Sequence, residues 1–180
     1  MSRLQTPRGA DAVATENEPS TSTDRAPRSV YPRLLLTAAI VLGLDQLTKE
    51  IALRTLDDGG VDLIDGVLSL NLTFNSGGAF GIAQGLPGLF LLGSIVVAVL
   101  IAVWARKVDD RRWLIPLGMI LGGGLGNLTD RLVRDYDGRV VDFIDFHFWP
   151  VFNVADMAIV FGIAFILLFG MREPKKDAMP

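Results

Sequence analysis

Apolar residues along this chain gather into four long runs: Leu34 to Leu53, Leu86 to Ala105, Trp113 to Leu128 and Val151 to Met171. The second and fourth carry no charge over most of a bilayer's thickness, which about 20 helical residues cross. Asp45 and Lys49 interrupt the first run, and the third is short and glycine-rich. In a soluble domain, runs of this length would be broken by polar faces at helical period. The pattern therefore predicts four transmembrane helices.

Between the first two runs the period changes. Leu68, Leu70, Leu72 and Phe74 alternate with Ser69, Asn71, Thr73 and Asn75, the period of a half-buried strand. A lone strand is not stable, so it is expected to pair within the same loop, with Val61 to Ile64 as the candidate partner. The expected class is an all-α membrane protein: four transmembrane helices with a small extracytoplasmic β-sheet lying on the outer membrane surface. Pattern alone does not decide whether the apolar face of that sheet meets helix ends, lipid or a bound chain. The segment 134–150, RDYDGRVVDFIDFHFWP, reads as a short loop. Its Phe143, Phe146, Phe148 and Trp149 suit a membrane–water interface, and Pro150 suits the entrance to the fourth helix.

Charge sets the orientation. Lys and Arg precede the first run (Arg25, Arg28, Arg33), join the second to the third (Arg106, Lys107, Arg111, Arg112) and follow the fourth (Arg172, Lys175, Lys176). The segment after the first run sets Arg54 against Asp57, Asp58, Asp62 and Asp65. The positive-inside rule then puts both termini and the 106–112 connection in the cytoplasm, and 54–86 and 134–150 outside. Arg131, Arg134 and Arg139 are the exceptions on the outer side. Residues 1–32, rich in Pro, Ser, Thr and charge, read as a disordered cytoplasmic tail. Residues 33–171 read as the membrane domain and 172–180 as a second cytoplasmic tail. No apolar stretch precedes Leu34, so the first run is expected to serve as an uncleaved signal anchor.

Composition narrows the chemistry. Half of the 180 residues are hydrophobic and the mean hydropathy is +0.40, in keeping with membrane lipid as the surroundings. The net charge of -3 gives no footprint for nucleic acid. With no cysteine, disulfides, thiol catalysis and Cys–zinc sites are excluded. The single histidine, His147, has no second His or Cys to complete a metal site and no Ser in a recognisable nucleophile turn. Neither metal nor cofactor is expected.

What remains is a set of acids and amides where lipid should be. Asp45 and Lys49 are four residues apart on a helix and can pair. In NSGGAFG, Asn75 to Gly81, three glycines permit a tight turn, and Asn75 can hold an extended peptide. Gly122 and Gly126 form a small-xxx-small pair, and Asn127, Asp130 and Arg131 share one helix face. Asp142 and Asp145 sit in VVDFIDF. Asn153 and Asp156 share a face of the fourth helix, with Asp156 about one and a half turns deep. Each cluster has a bland reading: a self-neutralised pair, a turn, an Asp–Arg pair with a packing Asn. The sharper reading joins them. Two carboxylates in a low-dielectric site cannot easily both ionise, so they share a proton. The ionised member can deprotonate water while the protonated one polarises a carbonyl. Spacing does not choose the pair among Asp45, Asp130, Asp142, Asp145 and Asp156.

In order along the chain, DQLTK, N-x-G-x-A-F, GGxxGNxxDR, VxDFxxF and FNxAD resemble the lipoprotein signal peptidases (signal peptidase II), bacterial aspartic peptidases of four spans. The match runs from about Arg33 to Met171. Gly78 stands where the family usually has Ala, while Asn75 and Gly77 are in place. The resemblance implies that Asp142 and Asp156 are the catalytic dyad. It implies that Asp45, Asn75, Asn127, Arg131 and Asn153 contact substrate, with Lys49, Gly77, Gly126 and Asp130 in support. The implied substrates are diacylglyceryl-modified prolipoproteins, cleaved just before the lipidated cysteine, their acyl chains entering laterally from the membrane. Arg131, Arg134 and Arg139 would then sit near phosphates or substrate carbonyls. The resemblance also implies a monomer in the bacterial inner membrane, its site near the outer face under a closing loop. A small ion-coupled transporter and a non-catalytic membrane scaffold are the alternatives. Four spans without inverted repeats weigh against the transporter.

Overall fold

The apolar runs form helices and the alternating segment forms a strand, in a computed structural model that describes residues 31–56, 59–77, 87–108 and 110–170. The N-terminal tail before Tyr31, the 78–81 part of the glycine turn and the C-terminal tail lie outside the described residues. Four helices are described: α1 (Tyr31–Thr55), α2 (Pro87–Ala105), α3 (Leu114–Val133) and α4 (Val154–Gly170). Three strands, β1 (Val61–Ile64), β2 (Leu68–Asn75) and β3 (Val140–Asp145), make one antiparallel sheet in the order β1-β2-β3. α1 begins at Tyr31, so the last residues assigned to the tail are helical. α3 extends to Val133, a turn and more beyond the apolar run that announced it.

The other three helices pack against α3, and its glycines set how closely. Gly118, Gly122 and Gly126 form one stripe facing α1, while Gly123 faces α4 at Ala155 and Ile159. A Cβ on Gly122 would lie 2.6 Å from the Ala38 carbonyl oxygen, so any side chain there forces α1 and α3 apart. Gly122→Ala is therefore expected to cost about 1–3 kcal/mol despite the better helix propensity of alanine. Gly43→Ala is the internal control: nothing lies within 4 Å of its added Cβ, and stability should hold or rise. Thermal unfolding in detergent reads both, and a Gly122 variant as stable as the Gly43 variant would show that the close approach carries no weight.

Two apolar clusters cap the bundle. At one end Leu34, Ala105, Leu114 and Leu117 pack with Ile101 and Val108. At the other, Ala52, Leu56 and Phe143 receive Leu70, Leu72, Ile144 and Val154, which seats the sheet on the helix ends. The strand's expected alternation is thus met on its apolar face by helix ends. β1 is the predicted partner of β2, with Val61 opposite Leu70 and Asp62 opposite Ser69.

β3 is a correction, because the segment that contains it was expected to be a loop. Val140, Val141, Asp142 and Phe143 are all buried, so consecutive residues face protein on both sides and no period of two appears. The aromatic assignments in this segment divide. Phe143 belongs to the core, whereas Phe148 is 79% exposed and Trp149 51%.

Among the described residues, no helix is long and apolar enough to cross a membrane. α1 carries Asp45, Lys49 and Glu50, α3 carries Asp130 and Arg131 among its glycines, and α4 runs for 17 residues. Burial divides α1 into two faces. Asp45 and Lys49 are fully buried, while Leu35, Leu36, Ile40, Leu44, Leu47 and Ile51 are each more than half exposed.

Candidate active site

A backbone clip brings the third strand and the fourth helix together. Phe143 and Ile144 donate their N–H groups to the Phe152 carbonyl (3.1 and 2.9 Å), and Phe152 N–H returns to Ile144 O at 3.0 Å. The chain thereby leaves β3, makes a short aromatic loop and enters α4 beside the strand it left. Asp142 on β3 and Asp156 on α4 both line the cavity so formed.

Asn153 fixes the start of α4. Its Oδ1 accepts from Asp156 N–H (3.0 Å), and Asp156 Oδ2 accepts from Asn153 N–H (3.3 Å). This is a reciprocal capping box, N-x-x-D in place of the usual S/T-x-x-E. Asp156 therefore lies in the first turn of α4, not one and a half turns deep. The side-chain NH2 of the same asparagine donates to Asp142 Oδ1 (2.6 Å), Asn127 Oδ1 (3.0 Å) and Val141 O (3.3 Å). One residue caps the helix and ties both acids into the same lattice of amides.

Each carboxylate oxygen of the two acids accepts an N–H. Asp142 takes Asn153 on Oδ1 and Asn75 on Oδ2 (3.0 Å). Asp156 takes Asn127 on Oδ1 (2.8 Å) and the Asn153 backbone on Oδ2. The sheet register supplies Asn75. Thr73 stands opposite Asp142, and Asn75, two residues further on the same face, reaches it diagonally. Asn75 is itself oriented by Gly77 N–H, which donates to its Oδ1 at 2.9 Å. Burial, followed by the charge of Asp156, pushes the Asp142 carboxyl up to about 7, against the opposing pull of the Asn75 and Asn153 hydrogen bonds and of Lys49. A carboxyl there exchanges its proton near neutral pH.

The cavity holds about 670 Å³. Its polar end presents Asn75, Gly77, Asn127, Arg131, Asp142 and Asp156. Its apolar walls come from Phe146, Trp149 and Phe152 before α4, and from Met157, Val160 and Phe161 along it. Gly124 of α3 forms part of the lining, and Ser94 of α2 borders the opposite side. Arg131 reaches over to the turn after β2, donating from Nη2 to Gly77 O at 2.9 Å.

The remaining candidates lie behind this wall. Asp45 and Asn153, expected to contact substrate, are fully buried and do not line the cavity. Asp45 instead accepts Ala155 N–H (2.9 Å) and pairs with Lys49 (2.9 Å). Gly126 lies against Asp45, where a Cβ would collide with its carboxylate. Asp130, also fully buried, accepts Lys49 Nζ (2.7 Å), Gln46 (3.0 Å), Arg134 (3.2 Å) and the Val141 N–H (3.1 Å). Asp145 turns to the sheet's polar face, accepting His147 N–H (2.7 Å) and Asn71 (3.2 Å). The His147 N–H holds its carboxyl below the usual range.

The three outward arginines divide. Arg134 is taken up by Asp130, Glu50 and Gln46. Arg139 pairs with Asp137 (3.1 Å) and lies over the Phe74 ring, 5.6 Å from its centroid. Of the three, Arg131 lines the cavity. Sequence reasoning missed Gln46, which donates to Asp130 and accepts from Arg134 behind the cavity.

The family model described as "Signal peptidase (SPase) II" matches residues 37–172. Relatives named lipoprotein signal peptidase include one from Rhodococcus jostii (strain RHA1), 39% identical over 168 residues that cover 90% of this chain and 85% of the relative. A second, from Mycobacterium avium (strain 104), is 41% identical over 162 residues, covering 86% of this chain and 88% of its own. Among solved structures, a bacterial membrane enzyme determined by the in meso method at 2.3 Å superposes with a TM-score of 0.72 at 27% identity, covering 83% of this chain and 94% of the other. A second such enzyme, at 1.9 Å, gives a TM-score of 0.69 at 27% identity, covering 79% of this chain and 95% of its own.

Proposed function

The chain belongs to the signal peptidase II family, and from that premise we propose that it is an intramembrane aspartic endopeptidase that removes the signal peptide from diacylglyceryl-modified prolipoproteins. It is a bacterial membrane protein of a protease family whose members act on prolipoproteins. The observation that carries the finer reading is the pair Asp142 and Asp156, facing one cavity and joined through Asn153 and Asn127.

We infer that the four helices lie in the bilayer together as a bundle, although among the described residues none is long and apolar enough to cross it singly. Averaged over a whole helix, the polar face of α1 dilutes its apolar face, but Asp45 and Lys49 turn inward and the exposed side chains around them are leucine and isoleucine. At 1.5 Å per residue, 25 residues of α1 span about 37 Å, enough for a hydrocarbon core of about 30 Å. Asp142 and Asp156 then lie at the sheet end of the bundle, where water reaches them. The apolar part of the cavity, between α4 and Ser94 of α2 over the side-chain-free Gly124, receives an acyl chain from the surrounding lipid.

The chemistry needs one water and one shared proton. The ionised acid takes a proton from water as the oxygen attacks the scissile carbonyl. The protonated acid, assigned to Asp142 by its high proton affinity, donates to the carbonyl oxygen, giving a neutral gem-diol. On collapse the C–N bond breaks as the departing amine takes one proton from the pair, a gem-diol hydroxyl returns its proton to the pair as the new carboxyl carbonyl forms, and the pair again holds one. The amides of Asn75, Asn127 and Asn153 keep the four carboxylate oxygens oriented throughout. Purified protein in detergent, given a diacylglyceryl-modified prolipoprotein, should release the signal peptide, read by gel shift and mass. Cleavage elsewhere than before the modified cysteine, or no cleavage, would sink this function.

The pH dependence has a definite sign. As pH rises through about 7, Asp142 loses its proton and kcat/KM falls, giving an alkaline limb near neutrality. Stability follows the same group. Because its folded value is raised above the ordinary 3.8, the stability it contributes is fully present below 3.8 and is lost as pH rises through about 7. The thermal midpoint should drop across neutrality, and Asp142→Asn should remove most of that drop. A wild-type midpoint that is flat from pH 6 to 8 contradicts the assignment.

A further inference from the structure

We propose that Lys49 is a positioning residue for the reaction, setting the orientation of the Asn127 side-chain amide and, through it, the N–H offered to Asp156. The inference rests on the function proposed above and deepens the account of that site. Lys49 is fully buried and does not line the cavity. Its ammonium has three hydrogens, and three acceptors surround it: Asp45 Oδ2 at 2.9 Å, Asp130 Oδ2 at 2.7 Å and Asn127 Oδ1 at 2.9 Å. An ammonium donates and never accepts, so the Asn127 oxygen must face it. The other end of the same amide, Nδ2, is then held at 2.8 Å from Asp156 Oδ1. Turned over, Asn127 would present an oxygen to the Asp156 oxygen and an NH2 to a cation, both repulsive. Asn153 Nδ2 also donates to Asn127 Oδ1 at 3.0 Å, but that NH2 is already shared with Asp142 and Val141.

The ion cluster around Lys49 balances its own charge. Asp45 comes from its own helix, and Asp130 and Arg134 come from α3 and the residue that ends it. The groups that face the reacting pair are Lys49 from α1, Arg131 from α3, and the two acids themselves, from β3 and α4. Lys49→Met alone leaves Asp45 and Asp130 buried without their cation and is expected to unfold. The decisive variant is therefore Lys49→Met with Asp45→Asn, which removes one charge of each sign. The amide oxygen introduced by Asp45→Asn still accepts the Ala155 N–H that the carboxylate of Asp45 accepts now.

With this double variant folded, the Asn127 amide loses the ion that orients it. The expected result is a kcat lowered about tenfold to a hundredfold with KM little changed, and an acidic limb of the kcat/KM profile displaced upward by about half a unit or more. A merely structural Lys49 would lower the amount of folded enzyme and leave the profile where it is. A double variant with wild-type kcat per folded molecule and a wild-type profile overturns the proposal. If instead wild-type protein fails to cut, or Asp142→Asn cuts normally, the failure belongs to the proposed function and not to Lys49.

Discussion

Asp142→Asn and Asp156→Asn are each expected to lower signal-peptide removal by about 10²–10⁴-fold or more while leaving a folded protein. The two changes should not add. On the proposed mechanism the acids share one proton and one water, so the double variant should be no slower than the worse single one. Asparagine keeps the shape of each side chain. At 142 it still accepts from Asn153, and its NH2 then meets Asn75, a local mismatch offset by removing a buried charge. At 156 it still accepts from Asn127 but weakens the capping box and removes the negative charge favoured in a first helical turn. Thermal midpoints should therefore move by only a few degrees, with Asp142→Asn the better preserved above neutrality. Gel-shift kinetics on the lipid-modified substrate, beside thermal unfolding of the same samples, separate chemistry from folding. Either single variant cutting at the wild-type rate would remove that acid from the pair.

The positions of the helices were legible because apolar runs bounded by charge admit few other structures. β2 was legible from alternation, and β1 as the partner that a lone strand needs. β3 was not, since a strand buried on both faces has no alternation to read, and Asp142 sits in its midst. The acids themselves stood out as charges among apolar residues, yet their spacing left five candidates. Structure divides those five by where their oxygens go. Asp45, Asp130 and Asp145 spend them on backbone N–H groups, on cations and on the sheet, while Asp142 and Asp156 meet amides and the cavity. Asn153 shows the limit from the other side. N-x-x-D is a readable helix start, and reading it would have put Asp156 in the first turn. That the same asparagine also reaches Asp142 and Asn127 depends on the Phe152 clip, a contact with no local signature.

Asp130→Ala is expected to abolish cleavage for a different reason, by unfolding. Its carboxylate is fully enclosed and collects an ammonium, a guanidinium, an amide and a backbone N–H. Truncation leaves Lys49 with Asp45 as its one counter-charge, leaves Val141 N–H without its acceptor and loosens Arg134 from the bundle. Breaking one partner out of a buried ion pair costs about 3–5 kcal/mol, a large share of a small domain's stability. Val141 precedes Asp142 on β3, so the loss also frees the strand that carries one acid. Lys49 keeps its contact with Asn127 in this variant, however, so whatever fraction remains folded should cut with the wild-type pH profile. Activity at low temperature, normalised to the folded fraction, should then approach the wild-type value, unlike that of Asp142→Asn or Asp156→Asn. If Asp130→Ala stops cleavage with its thermal midpoint unchanged, Asp130 acts in the chemistry and the reacting pair has been misassigned.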